Sequence, residues 1–150
     1  MDGAETRLEG FIAKYADATA IQARLAIAEM RRRLPGAIIL VYDNYNALAV
    51  GFGATDKQAG LVFSIAVYPR WVSLFFARGI GLNDPDGLLR GEGSRVRHIV
   101  LEGAQSLDDP RVRALMDQAL TRADPPIDAR QPSRLIIQSV SAKQRPRRAG

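Results

Sequence analysis

The spacing of apolar residues changes along the chain, and each spacing predicts a different kind of element. Over residues 4–16 and again over 18–34, apolar residues recur every three or four positions, as they do on one face of a helix. Pro35 and Gly36 follow the second stretch and end it. We expect two N-terminal helices packed as a hairpin.

Beyond Gly36, short runs of β-branched and aromatic residues replace the helical spacing, and turn residues separate them. Such runs predict strands. The connections between the first four are too short for crossovers, so these consecutive strands are expected to be antiparallel. The predicted strands cover residues 37–42, 47–52, 61–68, 71–77 and 96–101.

A third helix is predicted to begin at Pro110. Asp109 can cap its first turn, and proline is favoured at the first helical position. Residues 123–133 contain three prolines and are expected to form a linker. Residues 134–140 are apolar enough to pair at an edge of the sheet.

These elements predict one α+β domain over residues 1–140, with the helices on one face of an antiparallel sheet of about five strands. Residues 141–150 hold no large apolar side chain and are expected to be a disordered basic tail. No apolar run approaches the roughly 20 residues of a membrane helix, and the first residues lack the layout of a signal peptide. We therefore predict a cytoplasmic protein with no membrane contact.

The net charge lies in the C-terminal part of the chain rather than in the body. The sequence has 21 basic and 16 acidic side chains, a formal charge of +5. The excess cations lie beyond residue 130, where there is no acid, at Arg134, Lys143, Arg145, Arg147 and Arg148. A basic tail can attract phosphate groups, so weak contact with nucleic acid through the last four of these residues is one hypothesis.

Most catalytic and metal sites require residues that this sequence lacks. There is no cysteine and His98 is the single histidine, which excludes thiolate metal sites, cysteine nucleophiles and histidine clusters. None of the three Gly-x-Gly units continues into a dinucleotide-binding fingerprint, and no serine stands in a nucleophile elbow. We predict no catalytic residue, no metal ligand and no cofactor.

Two stretches carry side chains suited to a ligand. The first consists of Tyr42, Asp43, Asn44, Tyr45 and Asn46, with Arg70 and Trp71 at the turn of the next hairpin. The second consists of Gly93, Arg95, Arg97 and His98. Aromatic rings with polar tips can line a pocket or a dimer interface, and a glycine turn beside two arginines can hold an anion. The alternative is local structure: turn-forming Asp and Asn, packed tyrosines and a half-buried strand histidine.

The middle of the chain also carries motifs of a known family. Ser73-Leu74-Phe75-Phe76 is followed by Gly79, by Asp84-Pro85-Asp86-Gly87-Leu88-Leu89, by Gly91-Glu92-Gly93 and by Arg95-Val96-Arg97-His98-Ile99. These motifs resemble the YdhG-like bacterial domain (domain of unknown function 1801), over about residues 5–122. Some members of that family are described as frataxin-like iron chaperones, so the resemblance implies iron handling as one alternative.

The leading hypothesis is a non-catalytic cytosolic binding or accessory domain. Its partner would be a small anionic ligand or another protein. This hypothesis also includes a homodimer formed through a face or an edge of the sheet. Nucleic-acid association through the basic tail and iron handling are the alternatives.

Overall fold

A computed structural model describes residues 3–149 of the chain. Two helices come first, five strands follow, and a third helix and a sixth strand end the order of elements. Two short 3-10 turns lie at Gln58–Gly60 and Ala104–Asp108. The elements in chain order are α1 (Gly3–Ile12), α2 (Asp17–Arg33), β1 (Ile38–Asp43), β2 (Leu48–Gly53), β3 (Leu61–Val67), β4 (Val72–Phe76), β5 (Arg97–Leu101), α3 (Pro110–Arg122) and β6 (Arg134–Val140).

The strands form one mixed sheet in the order β5-β4-β3-β2-β1-β6. Strands β1 to β4 are antiparallel neighbours, as their short connections predict, and β5 pairs antiparallel with β4 after a longer connection. Residues 134–140 do pair at the edge, which confirms that prediction, but they run parallel to β1. The expected antiparallel sheet of about five strands is therefore corrected to a mixed sheet of six, because a connection as long as residues 102–133 allows a parallel return.

All three helices contribute to one core on one face of the sheet, which confirms the predicted α+β class. Alternate strand residues such as Val50, Phe63 and Leu74 are fully buried beneath the helices. Helix α3 begins as predicted, since the Asp109 carboxylate accepts a hydrogen bond from the Arg111 amide at 2.9 Å. Helix α1 ends at Ile12 rather than residue 16.

The C-terminal tail departs most from expectation. Residues 141–149 lie against the body, and Arg147 is only 5% exposed. The amides of Ser141 and Arg145 donate to the carbonyls of Asp43 and Tyr45, each at 2.9 Å. The expected disorder is therefore corrected: the tail is held by polar contacts with the β1–β2 turn, although it carries no large apolar side chain.

Among residues 3–149, no helix is both long enough and apolar enough to cross a membrane.

Candidate functional site

Small side chains cover the middle of the sheet face that the helices leave open. Side chains alternate between faces along each strand, so the buried residues of β2, β3 and β4 are separated by residues on the open face. One row across that face joins Ala49 to Ala66 and Ala66 to Ser73. The next row joins Gly51 to Ser64 and Ser64 to Phe75.

Of these residues, Ala49, Ser64, Ala66 and Phe75 line the floor of a cleft of about 740 Å³. The volume falls within the range of small-molecule sites in proteins, roughly 300–1,000 Å³. Its lining residues are Asn44, Tyr45, Asn46, Ala47, Ala49, Gln58, Ala59, Leu61, Ser64, Ala66, Tyr68, Phe75, Ala77, Arg78, Arg95, Val96 and Ser141. Apart from Arg78 and Arg95 these residues are uncharged, so the cleft has an apolar floor and a positive charge.

The two cations come from segments that a glycine brings together. Arg78 follows β4 and Arg95 precedes β5, and the Ile80 amide donates to the Arg95 carbonyl at 3.0 Å. A Cβ atom at Gly79 would lie 2.5 Å from the Cβ of Arg97, a separation that side chains do not tolerate. The absence of a side chain at Gly79 therefore allows both arginines to line the same cleft.

Neither cation is paired with a carboxylate. Within the described residues, no hydrogen bond or ion pair joins the side chain of Arg78 or Arg95 to another group. Both residues are exposed, and both also line an adjoining cleft of about 570 Å³. Arg122 lines that second cleft, where its guanidinium donates to the Gly81 carbonyl at 2.7 Å. Two unpaired guanidinium groups thus lie where two clefts meet.

Tyrosines and amides line the first cleft away from these cations. Tyr45 is 44% exposed, and Asn44 and Asn46 lie beside it in the β1–β2 turn. Tyr68 follows β3 and is half-buried, and this burial raises the pKa of its hydroxyl above the ordinary value. The hydroxyl and amide groups of these residues can form hydrogen bonds with a ligand.

The structure brings four of the sequence-predicted residues into this cleft: Asn44, Tyr45, Asn46 and Arg95. Arg70 and Trp71 line a different cavity, which shares Asn46 and Tyr68 with the first. The two predicted stretches, 42–46 and 93–98, therefore do meet at one surface, although only in part.

The other predicted residues are engaged elsewhere. Tyr42 and His98 lie on the open face but outside the cleft lining, and the His98 ring stacks on Phe75 with centroids 4.9 Å apart. The Arg97 guanidinium donates to the carbonyls of Gly93 and Val96, so it closes its own turn rather than gripping an anion beside Arg95. Gly93 and Arg97 do not line the cleft, and their predicted ligand roles stay predictions.

Asp43 forms two ion pairs and does not line the cleft, and its predicted ligand role stays a prediction. Its carboxylate is fully buried, with one oxygen 2.9 Å from an Arg147 guanidinium nitrogen and the other 2.7 Å from the Lys14 ammonium. Burial alone raises the pKa of a carboxyl, but the interactions with Lys14, Gln144 and Arg147 together outweigh it, and the pKa of Asp43 is lowered. Asp43 is therefore ionised at neutral pH and joins the tail to the body.

Arg78, Ser64, Tyr68 and Phe75 were absent from the predicted site. No motif surrounds Arg78, and its position became significant only when the chain folded around Gly79. The floor did leave a signal in the sequence. Small residues occupy alternate positions in consecutive strands, at Ala49 and Gly51 and again at Ser64 and Ala66.

Residues 3–149 contain no group of three or more His, Asp or Glu side chains placed to hold a metal ion. The Asp84 carboxylate accepts hydrogen bonds from the amides of Leu88 and Leu89, each at 2.9 Å, so it stabilises a turn.

Comparison with known proteins found no matching family model, curated protein or solved structure. The resemblance to the YdhG-like family consequently stays a prediction. The function has to be argued from the cleft itself.

Gly79→Ala is expected to lower the free energy of unfolding by about 2 kcal/mol, because the added Cβ overlaps Arg97 and the two segments must separate. Gly10→Ala is the matched control. No atom lies within 4 Å of a Cβ at Gly10, and alanine favours the helix there, so stability should rise by roughly 0.5–1 kcal/mol. Urea unfolding measures both. A Gly79→Ala protein as stable as Gly10→Ala would contradict the close approach.

Proposed function

We propose that this chain is a non-catalytic binding domain that takes a small organic anion in the cleft on the open face of its sheet. The anionic group binds between Arg78 and Arg95, and the apolar body of the ligand lies on the floor around Ala49 and Ala66. The observation that carries the proposal is the pair of unpaired guanidinium groups lining the cleft.

The charge distribution supports an anion rather than a neutral ligand. Most other arginines near the helices are matched by acids, as in the pairs Arg24–Glu9 and Arg33–Glu29. Guanidinium groups form paired hydrogen bonds with carboxylates and phosphates, and these bonds are stronger than neutral ones. Two arginines left unpaired at an apolar cleft therefore favour an anionic ligand.

The floor supports a ligand with an apolar body. Ala66 is 6% exposed and Ala49 is half-buried, so a flat apolar group could contact both without displacing a side chain. Ala49, Ser64 and Ala66 have small side chains that leave space above these strands, and Phe75, opposite Ser64, adds an aromatic ring to the floor. The cleft lining contains no histidine and no carboxylate, which supports binding rather than acid–base catalysis.

A pair of dyes tests the proposal. 1-Anilinonaphthalene-8-sulfonate has an aromatic body with a sulfonate, and N-phenyl-1-naphthylamine has the same rings without the charge. We expect the wild-type protein to bind the anionic dye more tightly than the neutral dye. The double variant Arg78→Ala/Arg95→Ala should raise the dissociation constant of the anionic dye by roughly tenfold, because charge-assisted hydrogen bonds are lost. The neutral dye should change little.

Arg130→Ala is the matched control for charge. Arg130 is an exposed arginine whose side chain is 92% accessible and pairs only with Asp128 in its own turn. The Arg130→Ala substitution should leave the binding of both dyes unchanged. The assignment would be overturned if this control weakened binding of the anionic dye as much as the double variant does, or if the double variant still preferred the anionic dye to the same extent. Native mass spectrometry of untagged protein would detect a natural ligand as an added mass that stays bound during purification.

Other sequence predictions remain hypotheses beside this one. They are a cytoplasmic location, a homodimer, a protein partner, the YdhG-like family with its iron chaperones, and nucleic-acid contact through the tail. Nucleic-acid contact would have to use a docked tail rather than a free one, because Arg145 and Arg147 contact the body of the domain.

A further inference from the structure

The docked tail brings a cation to a cluster of aromatic rings. We define the aromatic shelf as Tyr45, Tyr68 and Trp71. The Arg145 guanidinium lies 5.6 Å from the centre of the Tyr45 ring, and the rings of Tyr68 and Trp71 stack with centroids 4.9 Å apart and planes inclined by 20°. The tail sequence itself contains no aromatic residue, so this combination of rings and cations arises only from folding.

A cavity of about 660 Å³ lies at this shelf. Its lining residues are Asn46, Tyr68, Pro69, Arg70, Trp71, Arg145, Pro146 and Ala149. Two of them are arginines and none is acidic. Within residues 3–149, neither Arg70 nor Arg145 forms an ion pair with a carboxylate.

We propose that the aromatic shelf and its two arginines bind a nucleobase together with its phosphate. The base stacks on Trp71, and Arg70 and Arg145 hold the phosphate. The same unit occurs in a free nucleotide and in single-stranded nucleic acid, and the experiment below separates these two sources.

Stacking geometry supports a base on Trp71. Tyr68 covers part of the indole and holds it in a fixed orientation, yet Trp71 remains 42% exposed. The exposed part of the ring can therefore contact a flat partner. Every base has a flat face that can extend a stack of rings, and such stacking is largely independent of base identity.

Charge supports the phosphate. Arg70 comes from the β3–β4 turn and Arg145 from the tail, so two separate segments supply guanidinium groups to one cavity. Arginine forms paired hydrogen bonds with phosphate oxygens. Lys143 and Arg148 are also exposed in the same tail and could contact further phosphates of a strand.

The arginines of this site differ from those of the anion cleft. The two cavities share Asn46 and Tyr68, and Tyr45 of the shelf also lines the cleft, but Arg78 and Arg95 do not line the second cavity. Variants of Arg70 and Arg145 therefore test this proposal, and variants of Arg78 and Arg95 test the other.

Trp71 is the single tryptophan of the chain, so its fluorescence reports on this site directly. The full chain is titrated with adenosine 5′-monophosphate, with a six-nucleotide oligoadenylate RNA and with ribose 5-phosphate, at low salt. We expect saturable quenching by the nucleotide, the RNA or both, and none by the sugar phosphate. Arg70→Ala and Arg145→Ala should each raise the dissociation constant by roughly tenfold, because each removes a charge-assisted hydrogen bond.

Arg130→Ala serves as the control. It removes the same charge from an exposed turn, so it should not change the quenching. Equal binding of nucleotide and RNA would identify a free nucleotide as the ligand. RNA binding that is much tighter, and that weakens steeply with salt, would identify single strands. No quenching, or weakening by Arg130→Ala as large as by Arg145→Ala, would overturn the proposal.

Discussion

Asp43→Asn is expected to lower the free energy of unfolding by about 3 kcal/mol and to release the C-terminal tail. The substitution keeps the shape of the side chain but removes the charge that pairs with both Lys14 and Arg147. Arg147 is 5% exposed, so its charge would be buried without compensation. The tail can then undock and return Arg147 to water, which is why the expected loss lies at the lower end for a broken buried ion pair.

The ion pairs of Asp43 with Lys14 and Arg147 also make the free energy of unfolding depend on pH in acid. The pKa of Asp43 is lower in the folded protein than in the unfolded chain, where it is about 3.9. A lowered carboxyl pKa contributes stability above the unfolded pKa, and this contribution is lost as the pH falls through the folded value. Wild-type stability should therefore fall below about pH 4, and Asp43→Asn should lose this part of the pH dependence.

Urea unfolding and amide hydrogen exchange check both effects. The amides of Ser141 and Arg145 donate to the body, so their exchange reports tail docking without a probe. Asp56→Asn is the matched control, because Asp56 is exposed in the β2–β3 loop and should change neither measurement. Retained protection of the Arg145 amide in Asp43→Asn would show that the ion pairs do not hold the tail.

Ala49→Phe is expected to weaken binding of the anionic dye by at least about 30-fold while the fold is kept. Ala49 lies in the middle of the cleft floor, opposite Ala66 on β3, and a phenyl ring there would occupy the space of the ligand. Because the overlap is steric, its effect is larger than the loss of a single hydrogen bond. Aromatic residues are also favoured in strands, so the substitution should leave stability nearly unchanged.

Val100→Phe controls for an added ring on the same face. Val100 is 45% exposed on β5, pairs with Ser73 and does not line the cleft. Dye fluorescence should show normal binding to this variant and greatly weakened binding to Ala49→Phe. If both variants bind the anionic dye as the wild type does, the ligand lies elsewhere.

The order of helices and the pairing of neighbouring strands could be predicted because they depend on local patterns. Short connections force neighbouring strands to pair antiparallel. Asp109 as the N-cap and Pro110 as the first helical residue mark the start of α3. The direction of β6 depends instead on its contact with β1, almost a hundred positions earlier. No local spacing distinguishes a parallel from an antiparallel return over so long a connection.

The candidate site was harder to predict for the same reason. Asp43 stands among polar turn residues and was interpreted as a ligand residue, but its partner Arg147 lies 104 positions later. Arg78 has no motif around it and acquires its role only beside Arg95. The cleft floor, by contrast, could have been found, since alanine, glycine and serine alternate with buried residues in β2 and β3.

The parallel position of β6 beside β1 has a consequence for the nascent chain during translation. Strands β1 to β5 emerge from the ribosome before β6, so the outer edge of β1 stays unpaired while about ninety further residues are added. That edge consists of apolar residues and can template pairing with another chain. The arrival of β6 covers the edge and Arg147 adds a second ion pair to Asp43, so synthesis of residues 134–147 ends the period in which the open edge can pair with another chain.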